Sequence, residues 1–157
     1  MPKIDISKVP VRTGTIYPSP YDQEVKGRTS LRLGDAGGLT QFGANLVILS
    51  PGANASMRHW HEVEDEFLVV TEGELTLVEE TGETLMRPGD CAAFKAGVAN
   101  GHRMVNKSDR EGRFLVIGSR NLGTETCHYP DTGLTVVLNG SAFTFTDASG
   151  QELKKQG

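Results

Sequence analysis

Residues 56–73, with the sequence SMRHWHEVEDEFLVVTEG, decide how the rest of this chain is interpreted. The stretch begins with two histidines two positions apart, His59 and His61, and continues into a cluster of carboxylates at residues 62–66. An uninterrupted apolar run, FLVV, follows at residues 67–70. Side chains at positions i and i+2 of a β-strand point to the same side, with Cα atoms roughly 6.5 Å apart, so both imidazoles can approach one metal ion.

The same stretch predicts a β-hairpin that brings a carboxylate to that ion. A strand at residues 56–61 ends in a short acidic turn at residues 62–65, and a return strand begins at Glu66. The hairpin would place this carboxylate beside the two histidines, and the apolar side chains two and four positions later would share its face. Glu64 and Asp65 are the alternative sources of the carboxylate.

Short strand patterns with turns between them recur along the rest of the chain. No long window shows a convincing helical period, and the 19 glycines and 7 prolines are spread out rather than gathered in one tract. Short strands at such close spacing predict an all-β sandwich or barrel. The predicted strands lie at residues 39–50, 56–61, 66–71, 74–79, 83–86, 91–94, 102–106, 113–119, 134–138 and 142–146.

Several of these strands are apolar on both faces. The segments LVIL at 46–49, FLVV at 67–70 and FLVI at 114–117 have apolar residues at consecutive positions, and consecutive side chains of a strand point in opposite directions. One face fills the barrel interior. The other face needs a cover, which an N-terminal arm or a second subunit can supply, so we expect a homodimer.

The 157 residues fit a single domain of ordinary size. Residues 1–30 contain turn-forming stretches such as YPSP at 17–20 and are predicted to form an extended N-terminal arm with at most short edge strands. Residues 31–150 are predicted to form the β-barrel, and residues 151–157 a polar tail that is frayed.

Charge and cysteine usage narrow the classes of function. A formal net charge of −4 offers no basic surface for nucleic acid or for an anionic membrane, so we expect a small-molecule ligand instead. No signal-peptide core and no membrane-spanning run are present, which predicts a cytoplasmic protein with free thiols. We expect Cys91 to lie in the core, and Cys127 and His128 to form an exposed pair.

A third histidine would complete the predicted metal site. The chain has four histidines in all, and His102 begins the strand pattern HRMVN after a turn-rich stretch at residues 95–101. A barrel can bring this strand next to the predicted hairpin. Three histidines and one glutamate would leave one or two positions of a divalent first-row metal open for a ligand.

The spacing of these residues resembles the first motif of the cupin signature, which lies on a hairpin of a small β-barrel. The motif consists of a glycine, a His-x-His pair, a glutamate and a closing glycine at set intervals. Here Gly52 is followed after six residues by His59-Trp60-His61, then after four residues by Glu66, and after six more by Gly73.

The second motif of the signature is matched by residues 89–106. Gly89 is followed by Lys95-Ala96-Gly97, where the family has a proline at the position of Lys95, and then by His102 and Asn106. Strict spacing would place Asn100 at the ligand position. We prefer His102, because its interval to Asn106 is the one in the motif and because imidazole is the better ligand for a borderline metal.

The resemblance implies a single-domain cupin, a jelly-roll-like double-stranded β-helix, with His59, His61, Glu66 and His102 as ligands of one divalent transition metal: Fe, Mn, Ni, Co, Cu or Zn. No separate nucleophile or catalytic triad is evident, so the metal would have to supply the chemistry. The resemblance implies a metal-dependent enzyme of dioxygenase or isomerase type acting on a small organic molecule. The alternative is a non-catalytic cupin that binds or senses a small ligand.

Overall fold

The computed structural model of the protein describes residues 2–121 and 123–154. Its helical segments are two short 3-10 helices at Ile6–Lys8 and Tyr21–Val25 and one turn of α-helix, α1, at Leu33–Ala36. None of the helices in these two ranges is long and apolar enough to span a membrane. Almost everything else that is regular is β-structure, which confirms the all-β prediction.

The described residues form fourteen β-strands. In chain order they are β1 (Val11–Arg12), β2 (Arg28–Arg32), β3 (Phe42–Leu49), β4 (Trp60–His61), β5 (Glu66–Glu72), β6 (Leu75–Glu79), β7 (Gly82–Met86), β8 (Cys91–Phe94), β9 (Arg103–Val105), β10 (Gly112–Ser119), β11 (Thr124–Tyr129), β12 (Leu134–Asn139), β13 (Ala142–Thr146) and β14 (Glu152–Leu153).

These strands form three antiparallel sheets. The largest has the strand order β1-β2-β3-β10-β5-β8, the second has the order β14-β13-β12-β11-β4, and the third consists of β7-β6-β9. Some neighbouring strands are consecutive in the chain, such as β6 and β7 or β11 and β12, whereas others, such as β3 and β10, are far apart, so the sheets combine local hairpins with long-range pairing.

Two apolar clusters hold the sheets together. The first joins the six-stranded sheet to the three-stranded sheet and includes Leu49, Leu68 and Leu75, each at most 1% exposed. The second lies on the five-stranded sheet and includes Leu134 and Phe145. Apolar burial at about 25 cal/mol per Å² makes such clusters the main favourable contribution to folding. Both small sheets thus face the inner side of the large sheet.

The N-terminal segment is part of this packing. Tyr17 and Val25 belong to the second cluster, and the ring of Tyr17 contacts the ring of Tyr129 edge-on with centroids 5.5 Å apart. Strand β2 pairs with β3 over five residues, and the two-residue strand β1 lies at the edge of the sheet. The boundaries of the arm, the barrel and the tail remain predictions.

The predicted hairpin of residues 56–71 is wrong. Strand β4 pairs with β11, whereas β5 pairs with β10 and β8, so the histidine strand and the glutamate strand belong to different sheets. The histidine strand is also shorter than predicted, because regular pairing is confined to Trp60–His61. The acidic stretch after it is a connection between two sheets, not a tight turn between paired strands.

Three strands were not predicted: β2, β11 and β14. Strand β11 has the sequence TETCHY, whose Thr and Tyr residues favour strands but whose polar residues at 124–126 obscure the apolar alternation. Strand β14 lies within the segment predicted as a frayed tail and pairs with β13. The last three tail residues, 155–157, lie outside the described residues.

The closing residues of the two motifs have structural roles. Gly73 has φ = +73°, and a Cβ at this position would lie 2.7 Å from the carbonyl oxygen of Glu111, so only glycine fits without a shift of the backbone. Asn106 is fully buried, and its amide donates hydrogen bonds of 2.8 Å and 2.7 Å to the carbonyl oxygens of Leu49 and Arg110. Both residues fix loops behind the site.

Candidate metal centre

Four side chains from three chain segments lie close together: His59, His61, Glu66 and His102, which we call the donor cluster. Nε2 of His61 lies 3.5 Å from Oε2 of Glu66, and Nε2 of His102 lies 3.3 Å from Oε1 of the same carboxylate. A ring nitrogen of His59 lies within 4.8 Å of donor atoms of Glu66 and His102. The carboxylate thus lies between two imidazoles, with the third ring beside them.

Backbone pairing positions two of the histidines opposite each other. The amide of His59 donates to the carbonyl of His102 at 3.0 Å, and the amide of His102 donates back to the carbonyl of His59 at 2.9 Å. The ring of His102 stacks on Phe94, with centroids 3.5 Å apart and planes 5° apart. Phe94 is the cross-strand partner of Glu66, so one strand pair supplies both the carboxylate and the surface that orients His102.

Hydrogen bonding selects the tautomer of His59. Its Nδ1 lies 2.9 Å from the carbonyl oxygen of Met57, which can only accept, so Nδ1 carries the proton and Nε2 has a free lone pair. Burial lowers the pKa of His59 to about 4, against the attraction of the Glu66 carboxylate. The ring is therefore neutral at pH 7, which is the state that binds metals.

A buried carboxylate lies behind His61. Oε1 of Glu125 is 3.6 Å from Nδ1 of His61, and Glu125 accepts hydrogen bonds from the backbone amides of Glu62 at 2.9 Å and Val63 at 3.1 Å. Burial by itself would lower the pKa of His61, but the carboxylates of Glu66 and Glu125 outweigh it and the pKa is raised. Carboxylates in this position orient metal-binding imidazoles.

The carboxyl group of Glu66 is ionised. Burial by itself would raise its pKa, but hydrogen bonding to His102 and His61 outweighs burial and holds the pKa of Glu66 well below its usual range. The carboxylate thus accepts hydrogen bonds from ring nitrogens of His61 and His102, and a metal cation between the same atoms would take the place of those protons. The electrostatics of the cluster therefore favour a bound positive charge.

The donor cluster fits a divalent transition metal. Two ligand atoms that each lie about 2.1 Å from one ion, at octahedral or tetrahedral angles, are about 3.0–3.4 Å apart. The two observed separations between Glu66 and the histidines, 3.3 Å and 3.5 Å, are close to that range. Nitrogen and oxygen donors of this kind suit Fe, Mn, Co, Ni, Cu or Zn.

The cluster lies between two cavities. The larger has a volume of about 810 Å³ and is lined by His59, His61 and Glu66 together with Tyr17 and other residues of the N-terminal segment and of β2. The smaller, of about 190 Å³, is lined by His61 and His102. A volume of several hundred Å³ is typical of small-molecule sites, so the larger cavity is the candidate substrate site.

Glu64, Asp65 and Asn100 form hydrogen bonds to groups outside the donor cluster, although Glu64 and Asn100 line the smaller cavity. Glu64 accepts a hydrogen bond from the backbone amide of Asn121 at 2.8 Å, and Asp65 accepts one from the backbone amide of Ala96 at 2.8 Å. Asn100 donates to Glu79 and accepts from the backbone amide of Glu80, at 2.9 Å and 3.2 Å. Glu64 lies within 4.8 Å of donor atoms of His61 and Glu125, whereas Glu66 is the carboxylate that lies between His61 and His102.

The predicted places of the two cysteines are wrong. Cys91 is exposed, because it pairs with Val69 on the outer face of the large sheet, while its neighbours Ala92 and Phe94 pack inward. Cys127 is 2% exposed and lies within 4.8 Å of ring nitrogens of His59 and His61. Both are free thiols, as predicted.

His128, the neighbour of Cys127, points to the opposite side of β11. Its ring stacks on Trp60 with centroids 4.3 Å apart, and Nε2 lies 2.7 Å from Oε1 of Glu62. Its side chain is 31% exposed, so it is only partly exposed. Alternation along one strand therefore separates a cysteine that faces the site from a histidine that does not.

Two groups of site residues were missed at the level of sequence. Glu125, Cys127 and Tyr129 alternate along β11 and point inward, and the pattern of TETCHY could have indicated this if the strand had been recognised. Arg28 and Arg32 line the larger cavity from β2. Their alternation in RTSLR was the available signal, but the segment straddled the end of the predicted arm.

This chain is similar to proteins of known family and structure. The family model described as a cupin domain matches residues 45–118. A crystal structure described as a sugar phosphate isomerase from a cupin superfamily, from Silicibacter pomeroyi, is 51% identical in sequence. The match covers 97% of this chain and 96% of that chain with a TM-score of 0.93. Among curated proteins, none matches this chain.

More distant structures have the same fold. A proposed sugar phosphate isomerase from Acidithiobacillus ferrooxidans is 28% identical, with a TM-score of 0.73 over 82% of this chain and 81% of that one. A polyketide cyclase from Streptomyces resistomycificus is 24% identical, with a TM-score of 0.62 over 76% of this chain and 79% of that one. At that identity the likeness concerns the fold alone.

Proposed function

This chain belongs to the cupin superfamily, and from that premise we propose that it is a metal-dependent isomerase of a small phosphorylated sugar. The observation that supports the proposal most directly is the donor cluster, three of whose members, His59, His61 and Glu66, line a cavity of about 810 Å³. The likeness to the protein from Silicibacter pomeroyi supports the choice of reaction, since it extends over nearly the whole of both chains.

We propose that His59, His61, Glu66 and His102 bind one divalent transition metal. A metal bound there would act as a Lewis acid that polarises a carbonyl or hydroxyl oxygen of the substrate. This assignment is supported by the free Nε2 of His59, by the ionised carboxylate of Glu66 and by the Glu125 carboxylate behind His61. Three imidazoles and one carboxylate would leave room for a ligand atom from the substrate.

Two side chains that line the larger cavity, Tyr17 and Cys127, keep their protons at neutral pH, and this supports the isomerase proposal. Interconversion of an aldose and a ketose moves a hydrogen between adjacent carbons, and neutral donors that bind the sugar oxygens assist it. Burial raises the pKa of Tyr17 to about 12 and the pKa of Cys127 to about 12, so both side chains keep their protons at neutral pH. Both line the larger cavity, where they can donate to substrate oxygens.

Metal analysis combined with an isomerase assay tests this function. We expect about one equivalent of a transition metal per chain after reconstitution, and metal-dependent interconversion of at least one aldose phosphate with its ketose phosphate. The assay compares each phosphorylated sugar with its unphosphorylated counterpart. Less than about a tenth of an equivalent of every metal after reconstitution, or no isomerisation across aldose and ketose phosphates, would overturn the proposal.

The other functions implied by the cupin resemblance are distinguishable outcomes of the same experiment. Metal-dependent O₂ consumption with small phenolic, thiol or keto acids would indicate a dioxygenase. Saturable binding of a small molecule without turnover would indicate a binding or sensing protein. Both readouts use the same metal-loaded sample, so the three functions are compared at equal metal content.

We also propose that the protein is a homodimer that uses the outer face of the large sheet. Cross-strand partners form a continuous apolar row over this face: Val11, Leu31, Leu46, Leu115 and Val69. Such a row on one face is self-complementary when two copies meet about a two-fold axis. The partly exposed members of the row would be buried by a second copy, and their burial would stabilise the pair.

A charged substitution on that face tests the dimer. Phe67, which is 41% exposed, lies on the same face of β5 as Val69. We expect the wild-type protein to have the mass of two chains by light scattering and Phe67→Lys to shift it to one. Phe143→Lys is the matched control, because Phe143 is similarly exposed but lies on β13 in another sheet. A monomeric wild type would contradict the proposal.

The free thiols support a cytoplasmic location, which we propose for this protein. Both Cys91 and Cys127 are unpaired, and cytosolic proteins generally keep their thiols reduced. Fractionation of the source cells tests the location. Recovery of the protein mainly outside the cytoplasmic fraction would contradict it.

A further inference from the structure

Three arginines share one face at the edge of the larger cavity: Arg12, Arg28 and Arg32, which we call the arginine edge. Arg28 and Arg32 are four positions apart on β2 and flank Ser30, so all three point to the same side of the strand. Arg12 of β1 is the cross-strand partner of Ser30, and partners share a face. All of these side chains line the cavity.

The charge of Arg28 is not balanced within the protein. Its Nε is buried without a hydrogen-bond partner, and no carboxylate of residues 2–121 or 123–154 forms an ion pair with it. Burial lowers the pKa of Arg28. Removing a charge from water without a partner costs free energy, and a buried guanidinium is stabilised when an anion supplies the missing hydrogen bonds.

Other arginines of this chain show the usual arrangement. Arg58 forms ion pairs with both Asp131 and Glu80, and Arg113 forms ion pairs with Glu111 and Glu72. Nε of Arg103 is also buried without a hydrogen-bond partner, but Arg103 is near enough to Asp131 to help lower the pKa of that carboxyl, whereas Arg28 has no such carboxylate among the described residues. Within the arginine edge, Arg32 forms only a 3.7 Å pair with Asp35, and half of its side chain is exposed.

The arginine edge and the donor cluster lie on the same inner surface. Strand β2 is separated from β5, which carries Glu66, by β3 and β10. Three strand spacings of about 4.8 Å give roughly 14 Å along the sheet, and less across the cavity because the sheet curves. The strip between the two sites includes the apolar residues Val47, Phe114 and Val116, with Asn45 as a polar member.

Tyr17 connects the two sites on the opposite side of the cavity. Its hydroxyl accepts a hydrogen bond of 3.3 Å from the backbone amide of Met57, whose carbonyl oxygen holds Nδ1 of His59. The cavity therefore runs from a cationic edge, past aromatic and apolar walls, to the donor cluster. A small elongated molecule with one anionic end matches this sequence of surfaces.

We propose that the arginine edge, with Arg28 at its centre, binds the phosphoryl group of the substrate while the opposite end of the molecule reaches the donor cluster. A guanidinium forms two parallel charge-assisted hydrogen bonds to phosphoryl oxygens, and neighbouring arginines add attraction for a dianion. The identity of the anion as a phosphoryl group rests on the proposed isomerase function. The anion site itself rests on the unpaired Arg28.

Binding of inorganic phosphate to the metal-loaded protein tests the site directly. Isothermal titration at fixed ionic strength compares the wild type with Arg28→Gln, which preserves side-chain polarity but removes the charge. The matched control is Arg113→Gln, since Arg113 is paired with carboxylates and lies outside the cavity. We expect Arg28→Gln to weaken phosphate binding by about tenfold or more, with metal content unchanged, and Arg113→Gln to leave it as in the wild type.

A loss of phosphate affinity no greater in Arg28→Gln than in Arg113→Gln would overturn the inference, as would a wild type that does not bind phosphate. Modification of the wild type by phenylglyoxal gives an independent measurement if Arg28→Gln does not fold. Phosphate should protect Arg28, identified by peptide mass spectrometry, but should not protect Arg113. Equal modification of Arg28 with and without phosphate would contradict the site.

The failure of this inference can be distinguished from the failure of the proposed reaction. Arg28-dependent phosphate binding in a protein without isomerase activity would support the anion site and overturn the reaction. Isomerisation of phosphorylated sugars with the same KM in the wild type and in Arg28→Gln would support the reaction and overturn the anion site. If Arg28→Gln raises KM for a phosphorylated sugar by about tenfold, the result supports both the anion site and the reaction.

Discussion

The donor cluster and the arginine edge line the same cavity, but they differ in how their charges are balanced. Each member of the donor cluster faces another member, and its carboxylate lies between imidazoles. In the arginine edge, Arg28 has no ion-pair partner within the described ranges. The comparison indicates that the donor cluster suits a permanently bound cation. The arginine edge instead suits the anionic group of a ligand that binds and dissociates.

The two regions also differ in how they are assembled. The arginine edge comes from two adjacent strands, so its geometry follows from one pair of registers. The donor cluster combines β4, β5 and the bridge between His59 and His102, and it exists only when three chain segments pack together. Substitutions in the two regions should therefore have separable effects, and metal affinity is the quantity that separates them.

Loss of the carboxylate of the donor cluster should have the largest effect. We expect Glu66→Gln to weaken metal affinity by more than about 100-fold, because it removes a ligand and the negative charge that offsets the cation. Arg28→Gln, in the same cavity, should leave metal affinity as in the wild type. Metal content after dialysis against a graded series of chelator concentrations measures both.

Glu64→Gln is the comparison for that experiment, because the Glu64 carboxylate also lies within 4.8 Å of donor atoms of His61 but accepts a hydrogen bond from the backbone amide of Asn121. We expect it to keep its metal. Equal metal loss in Glu64→Gln and Glu66→Gln would remove the basis for assigning the carboxylate.

Substitution of the third histidine should have the next largest effect. We expect His102→Ala to weaken metal affinity by about 100-fold and Asn100→Ala to leave it nearly unchanged, since Asn100 is hydrogen-bonded to Glu79 and to the amide of Glu80. Competition with a chromophoric chelator measures both affinities. The reverse order of the two variants would assign the ligand position to Asn100.

Substitution of Glu125, the carboxylate behind His61, should have a smaller effect on metal affinity. Glu125→Gln keeps an oxygen that can accept one of the two backbone hydrogen bonds but removes the charge beside Nδ1 of His61. We expect metal affinity to fall by about tenfold in the same chelator competition. Glu74→Gln, at an exposed ion pair with Arg87, is the control and should bind metal like the wild type. An unchanged affinity in Glu125→Gln would limit Glu125 to a structural role.

The smallest effect on metal affinity is expected for Tyr17→Phe, which lies between the two regions. The substitution removes the acceptor of the Met57 amide, and a buried amide without a partner lowers the free energy of unfolding by about 1–3 kcal/mol. Urea denaturation measures this loss. Metal affinity should change by less than about threefold, because His59 keeps its bond to the Met57 carbonyl.

Tyr21→Phe is the matched control, since Tyr21 packs against the same apolar cluster and its hydroxyl has no hydrogen bond within residues 2–121 and 123–154. Equal destabilisation of the two variants would show that the Tyr17 hydroxyl adds nothing to stability.

Much of the donor cluster could be predicted from spacing, whereas the pairing that forms it could not. His59, His61 and Glu66 lie within eight positions, and their residue types suit a metal whichever strands carry them. The predicted hairpin failed because adjacency in sequence favours local pairing, while β4 pairs with β11, more than sixty positions further along the chain. The pairing partner was itself a strand that the sequence had not indicated.

The arginine edge and the buried Glu125 could not be predicted from the sequence. An arginine at the start of a polar strand is ordinarily a solvated residue, and although Glu111 precedes Arg113 by two positions, nothing local to Arg28 shows that it lines a cavity. The two differ only because β2 faces the cavity and offers no carboxylate, whereas Arg113 lies beside Glu111 and Glu72. Burial and charge balance are properties of the assembled sheets.

The amino-acid sequence by itself determined the all-β class, the cupin resemblance and the donor residue types, since alternation and motif spacing depend only on neighbours along the chain. Tertiary structure alone decided which strands pair, that Cys127 rather than Cys91 faces the site, and that Arg28 has no counter-ion among the residues that the structure describes. The physical reason is that the choice of partner strand, and with it burial and charge pairing, depends on packing between segments that are distant in the sequence.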